Sequence, residues 1–347
     1  MRSSTAVRRL YTHVPALCRS PLSTSAAAAS AAIQRDRYLF DLTGYLVLRG
    51  VLSAKQVTEL NEAVEANNSE FAERTGSLRN SKHAAFHGDG TSGRKDSGSM
   101  LTWPAPYCNV FRQLLAHPRL VPILNMLLGE GYRLDHLPLL IRQRHGAEGF
   151  DFHGGAIGPT GAYNSEIAYD VKPGPGGQPK ISCQLINVSF ALTQTQAGEG
   201  GFVILPGSHK ASFPMPDSVA SLDSGSEFVV CPCLDPGDVI LFSEATAHGA
   251  LPWTGAKERR TLFYRFGPGT SAYGRGYASI FDENLLSQLS PEQAAVLQPP
   301  FHSRLDRTAL RVSTKEGGHS VVEAYRPEPR SDEKKRFDEV VFGHEYF

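Results

Sequence analysis

Apolar residues recur along this chain with two different periods, and the change of period divides it. Ser53, followed three positions later by Gln56, has the form of a capping box. Val57, Leu60 and Val64 then fall at helical spacing, which predicts a surface helix beginning just after Ser53. A second helical region is predicted from about Asn109 to Leu128, with Phe111, Leu114 and Leu115 on its apolar side and a break at His117-Pro118. After Leu128 the period shortens. Leu137 to Arg144, Ile181 to Leu192, Gly201 to Leu205, Glu227 to Cys231, Val239 to Phe242 and Thr261 to Phe266 are short, rich in β-branched and aromatic residues, and bounded by Gly or Pro, so each reads as a strand. Helices come first and strands afterwards, without the strand and helix alternation of a parallel doubly wound sheet. The expected fold is mainly β with flanking helices, a cupin-like jelly roll.

Charge and composition narrow the classes of function. The 35 basic and 35 acidic residues balance, so no global basic field draws the chain to nucleic acid or anionic lipid. The longest apolar run, Leu120 to Leu128, is cut by Pro122 and Asn125 and is far short of the ~20 residues that a spanning helix requires. Five scattered cysteines do not form a disulfide framework, which points to a reducing compartment. Residues 1–35 carry Arg2, Arg8, Arg9, Arg19 and Arg35 with no acidic residue, and Ser20 to Ala32 is almost entirely Ser, Thr and Ala. That composition is expected of a disordered organelle transit segment, for the mitochondrion or alternatively a plastid. The domain expectation is therefore a leader at 1–35, one jelly-roll domain at 36–311 and a charged C-terminal segment at 312–347, with insertions at Lys172 to Gln178 and Asp217 to Ser226.

Two of the twelve histidines stand at strand ends, His153 in FDFHGG and His248 at the close of DVILFSEATAH. Residues so placed can converge at the mouth of a jelly roll as half of a metal site. Four blocks in order then carry a resemblance: Phe40 to Leu52 (FDLTGYLVLRGVL), Gly200 to Lys210 (GGFVILPGSHK), the strand into His248, and Arg259 to Tyr264 (RRTLFY). Together, over roughly Asp36 to Gly269, they resemble the phytanoyl-CoA dioxygenase family of non-haem iron, 2-oxoglutarate-dependent oxygenases. The resemblance implies a double-stranded β-helix core, Fe(II), 2-oxoglutarate as cosubstrate, molecular oxygen and hydroxylation of an aliphatic C–H bond in a small organic substrate. It makes His153 and His248 iron ligands and Arg259, eleven positions after His248, the anchor for the far carboxylate of 2-oxoglutarate. A guanidinium suits that role because it forks onto a carboxylate and does not lose its proton. Arg260 is the fallback if a bulge shifts the strand by one.

One position departs from the family pattern. Where the His-x-Asp motif would supply the carboxylate of a 2-His-1-carboxylate triad, this chain has Gly155. Three replacements compete: Glu244, four residues before His248, as a ligand or as a group that orients one; Asp151, on the face of His153 two residues earlier; or no carboxylate, with water or chloride in its place as in the halogenases of this class. The last arrangement would make the protein a halogenase, and a decayed site would leave only a jelly-roll binding protein. Gln184, on an alternating strand, is the expected polar pocket contact, and Arg142, Arg144 and Arg265 are candidates for an anionic substrate. The pattern sets neither the substrate nor the oligomeric state.

Overall fold

A computed structural model describes residues 26–74, 81–90, 93–274, 281–301, 309–315, 320–325 and 331–344. Helix α1 (Ala26–Thr43) leads into β1 (Tyr45–Leu48), and α2 (Ala54–Ala66) follows. The expected capping box is present: the Ser53 hydroxyl accepts from the Gln56 amide at 3.3 Å, and the Gln56 side chain accepts from the Ser53 amide at 3.0 Å. The short strands β2 (Ala72–Arg74) and β3 (Arg94–Ser97) precede α3 (Tyr107–Gln113) and α4 (Val121–Leu128). The helical break falls where His117-Pro118 predicts it, because proline cannot donate to the preceding turn.

The remaining strands are β4 (Arg133–Gln143), β5 (Phe150–His153), β6 (Tyr169–Pro173), β7 (Pro179–Cys183), β8 (Ile186–Ala191), β9 (Gly201–Ile204), β10 (Val239–Ser243), β11 (His248–Leu251), β12 (Arg259–Gly267), β13 (Ala309–Thr314) and β14 (Ser320–Tyr325). They form an antiparallel seven-stranded sheet in the order β1-β10-β8-β12-β4-β3-β2 and a three-stranded sheet in the order β5-β11-β9, with two separate hairpins, β6-β7 and β13-β14.

Period-two alternation distributes the side chains of the large sheet between two faces. On β10, Val239 and Leu241 join the apolar cluster beneath the helices, whereas Ile240 and Phe242 point the other way, into a cluster with Phe202 and Ile204 of β9 in the small sheet. On β8 and β12 the helix side takes Ile186, Val188, Phe190, Leu262, Tyr264 and Phe266. The opposite face of these two strands carries Asn187, Ser189, Arg259, Thr261 and Arg265, which is why polar residues are found inside the jelly roll at all.

Several expectations shift. Ile181 to Leu192 is two strands, because the chain breaks at Gln184-Leu185 between a hairpin arm and the main sheet. Glu227 to Cys231 is not a strand: it contains a 3-10 turn at Ser226–Phe228 and a single bridge from Val230 to Ile204. Lys172 to Gln178 is the tip of the β6-β7 hairpin. The boundary at 35/36 falls inside α1, so residues 26–35 are helical, while residues 1–25 lie outside the described residues. The boundary at 311/312 falls inside β13, which pairs along its length with β14 and therefore belongs with it. Among the described residues no helix is long and apolar enough to cross a membrane.

Candidate active site

His153 and His248 face each other directly across the β5-β11 ladder, with ring centroids 4.1 Å apart. His248 opens β11 and does not close β10; a turn from Glu244 to Ala247 separates the two strands. This turn brings Glu244 back over the histidines. The candidate ligand atoms of His153, Glu244 and His248 all lie within 4.8 Å of one another, and a Glu244 carboxylate oxygen is 4.0 Å from His248 Nε2.

The turn is held from several sides. Ala245 N donates to Ser243 Oγ at 3.2 Å, Thr246 Oγ1 donates to the Gly44 carbonyl at 3.0 Å, and Ala247 N donates to Ser208 Oγ at 2.8 Å. Glycine makes the fit possible. A Cβ on Gly154 would stand 2.5 Å from the Glu244 carbonyl oxygen and 2.9 Å from that of Thr246, and Gly154 and Gly155 have φ of +85° and +91°, where side chains are disfavoured. Gly155 N donates to the Glu244 carbonyl at 3.3 Å. The residue that replaces the family's aspartate thus belongs to the backbone arrangement that admits Glu244.

Both imidazoles are oriented through Nδ1. His248 Nδ1 lies 2.8 Å from the Thr246 carbonyl and His153 Nδ1 lies 3.1 Å from the Asp151 carbonyl. A carbonyl only accepts, so each Nδ1 carries the proton and each Nε2 lone pair is left for the site. Burial, reinforced by the neighbouring His153, pushes the His248 pKa down to about 3 and keeps the ring neutral, as a metal ligand must be. Burial acts on the Glu244 carboxyl in the opposite sense, but His248, His153, Arg265 and a hydrogen bond from Asn187 Nδ2 outweigh it and hold the group below the usual carboxylate value. Two imidazoles and one carboxylate form the donor set that suits non-haem iron(II).

Arg259 is 5% exposed and points into the jelly roll, where its guanidinium donates to the Gln143 side chain. Burial lowers its pKa to about 10, still well above neutrality. Among the described residues no carboxylate pairs with it. A buried, charged guanidinium without an anion is unfavourable by itself, so the position fits a carboxylate brought in from outside the chain. Arg260 points to the other side and is occupied by Glu258 at 2.8 Å, Glu65 and Asn61.

The other candidates go elsewhere. The Asp151 carboxylate accepts from the backbone amides of Lys82 and His83 and faces His83 Nδ1 at 3.2 Å, so it braces a neighbouring loop and does not join the triad. Arg142 pairs with Glu258 at 2.9 Å, and Arg144 is largely exposed beside the same residue. Gln184 precedes β8 and is not among the residues gathered at the histidines. The residue the sequence reading missed is Asn187, three positions on, which is 1% exposed and bonds Glu244; its place opposite Val188 in the alternation was the available signal.

The described fold has counterparts of known structure. HygX from Streptomyces hygroscopicus, solved with nickel, 2-oxoglutarate and hygromycin B bound, superimposes with a TM-score of 0.55 at 20% identity, over 70% of this chain and 90% of that one. SnoN, described as a non-haem α-ketoglutarate-dependent epimerase from nogalamycin biosynthesis, gives 0.50 at 20% identity over 73% and 89%. In sequence, the ectoine dioxygenase of Streptomyces avermitilis is 24% identical over 208 residues, covering 58% of this chain and 65% of the relative. The dioxygenase lolE1 of Epichloe uncinata is 26% identical over 148 residues, 39% and 56% respectively, so the chain matches less than two thirds of either relative. The phytanoyl-CoA dioxygenase family model matches residues 40–261, a span that begins in α1, ends in β12 and contains His153, Glu244, His248 and Arg259. The chain belongs to the phytanoyl-CoA dioxygenase family of iron(II)- and 2-oxoglutarate-dependent oxygenases.

Proposed function

We propose that this oxygenase hydroxylates an aliphatic C–H bond of a small organic substrate, with His153, Glu244 and His248 as the iron ligands and Arg259 as the anchor of 2-oxoglutarate. The observation that carries this reading is the convergence of Glu244 on the two histidines, in a fold that also buries an arginine with no carboxylate of its own among the described residues. Iron(II), 2-oxoglutarate and O2 together supply the oxidant for C–H cleavage, and the cosubstrate leaves as succinate and CO2.

The chain's own residues then have separable tasks. The backbone carbonyls of Asp151 and Thr246 fix which imidazole nitrogen is free. Asn187 holds one oxygen of Glu244. Arg259 binds the far carboxylate and so sets the direction in which the cosubstrate enters. Glu244 in the carboxylate position speaks against the halogenase reading, because a halide needs that position free of protein, and the complete set of four groups speaks against a decayed site.

Anaerobic loading with Fe(II) and 2-oxoglutarate, followed by O2, tests the reading. Stoichiometric succinate is expected from wild type, and a substrate so found should gain one oxygen atom in mass. Product of unchanged mass would replace hydroxylation by epimerisation, and incorporation of chlorine would restore the halide reading. We further propose that the acid-free N-terminal segment directs the protein to the mitochondrion; a diffuse cytosolic distribution of a fusion tagged at its C-terminus would refute this.

A further inference from the structure

We propose that Arg265, held in place by Asn187, receives an anionic group of the substrate, a carboxylate or a phosphate monoester; this rests on the assignment of the adjoining site to iron and 2-oxoglutarate. Most buried and half-buried arginines of this protein are already neutralised or spent. Arg49 pairs with Asp238 at 2.6 Å, Arg94 with Asp96 at 2.7 Å, Arg133 with Asp135 at 3.0 Å, and Arg142 with Glu258 at 2.9 Å. Arg112 and Arg119 donate to backbone carbonyls. Arg259 and Arg265 differ from these. Both lie on the interior face of β12, and among the described residues neither has a carboxylate within ion-pair distance.

Arg265 is half-buried, and its Nε donates to Asn187 Oδ1 at 2.9 Å. Asn187 turns its amide nitrogen to Glu244, so the guanidinium is joined to the iron ligand through one side chain. Using Nε for this contact leaves the two terminal nitrogens, the fork that grips carboxylate and phosphate oxygens. Of the nearby acids, Glu244 feels the charge of Arg265 but is outside ion-pair distance and is bonded by Asn187, Asp135 is engaged by Arg133 and by the amides of Tyr273 and Gly274, and Glu166 is exposed.

Charge balance points the same way. A divalent cation, the Glu244 carboxylate, a dicarboxylate cosubstrate and the two guanidiniums leave one unmatched positive charge. A substrate monoanion would remove it, and Arg265 is where the charge is least committed. Arg259 and Arg265 are six residues apart, about 20 Å along an extended strand, so one cosubstrate anchored at Arg259 leaves Arg265 for a second molecule.

The test uses the full-length protein loaded with Zn(II) and saturated with N-oxalylglycine, which fills the cosubstrate position. Saturation-transfer NMR then compares hexanoate with hexanamide and hexyl phosphate with hexanol. Wild type should bind at least one of the anions ~10- to 100-fold more tightly than its uncharged partner, as a charge-assisted contact implies, and the preferred pair tells carboxylate from phosphate. Arg265→Gln should lose that preference, Arg265→Lys should keep part of it, and Co(II) absorbance should show metal affinity within a few-fold of wild type in both. Equal binding of anion and neutral partner by wild type overturns the proposal without recourse to any variant. So does an Arg265→Gln protein that keeps the preference, one that loses Co(II), which would make Arg265 a support for Glu244, or one that loses N-oxalylglycine, which would give it to the cosubstrate. Failure of the iron and 2-oxoglutarate assignment has its own signature, wild type that shows neither Co(II) bands nor N-oxalylglycine binding.

Discussion

The two faces of β8 and β12 present the same backbone to opposite tasks. Beneath the helices, Ile186, Val188, Phe190, Leu262, Tyr264 and Phe266 are all at most 1% exposed and pack against α2, α3 and α4. On the reverse, Asn187, Arg259 and Arg265 place amide and guanidinium groups where a core would otherwise continue. Alternation keeps the two sets separate, so the sheet can tolerate unpaired charge on one side because the other side supplies its apolar burial. The faces should accordingly respond to mutation in different currencies: affinity inside, stability outside.

The largest effects belong to the site that the inner face supports through Asn187. Replacing His153, His248 or Glu244 by Ala should each lower Co(II) or Fe(II) affinity by more than ~100-fold, beyond the ~10- to 100-fold typical of groups that only orient a ligand. Asn187→Ala falls in that smaller range, because it frees Glu244 without removing it. Metal titrations followed by absorbance check the ordering, and a Glu244→Ala protein no worse than Asn187→Ala would demote Glu244 to an orienting group. Adding Gly155→Asp to Glu244→Ala should restore little, since φ of +91° at 155 disfavours any side chain.

The outer face gives the complementary result. Leu262→Ala removes a fully buried side chain from the helix-covered cluster and should destabilise by ~2–5 kcal/mol in urea unfolding. Metal affinity of the folded fraction should stay at the wild-type value. A parallel loss of metal would mean that the faces are not independent.

Arg259→Ala sits between these cases. It should leave metal affinity intact and weaken 2-oxoglutarate by ~10- to 100-fold, measured by the cosubstrate-dependent absorbance of the Fe(II) protein. If Arg260→Ala is the damaged variant instead, the inward side of β12 has been misassigned.

How far each face could be read in advance follows from what fixes it. Val239 to Phe242 and Thr261 to Phe266 showed their strands because β-branched and aromatic content is a local property of the chain. The capping box at Ser53 and the break at His117-Pro118 were legible for the same reason, being set by neighbours in the chain. Glu227 to Cys231 carried strand-like residues but had no long partner, and pairing is a property of two segments. Glu244 was one of three options because its reach depends on a turn at 244–247 and on how closely Gly154 lets that turn approach, neither of which spacing records. Asp151 shares the strand face of His153 in the sequence pattern, yet the amides of Lys82 and His83, about seventy residues away, claim its carboxylate. Gln184 was preferred to Asn187 because the break between β7 and β8 was invisible, and a break changes which residues point inward.

The smallest effect gives the most sensitive test of independence. Ser53 caps α2, and losing its hydroxyl from the reciprocal pair with Gln56 should destabilise the protein by ~1 kcal/mol. The helix is tied to the sheet beside the proposed cosubstrate anchor: Asn61 donates to the Leu192 carbonyl at 3.0 Å and accepts from Arg260 at 3.0 Å, one residue from Arg259. If alternation insulates the faces, Ser53→Ala lowers the unfolding free energy and leaves 2-oxoglutarate affinity unchanged, because Arg260 lies outward and a slightly looser α2 shifts nothing that Arg259 touches. A weakened 2-oxoglutarate constant in Ser53→Ala, at unaltered metal affinity, would instead show that α2 helps set the register of β12, and the helical cover would then belong to the binding machinery as well as to the fold.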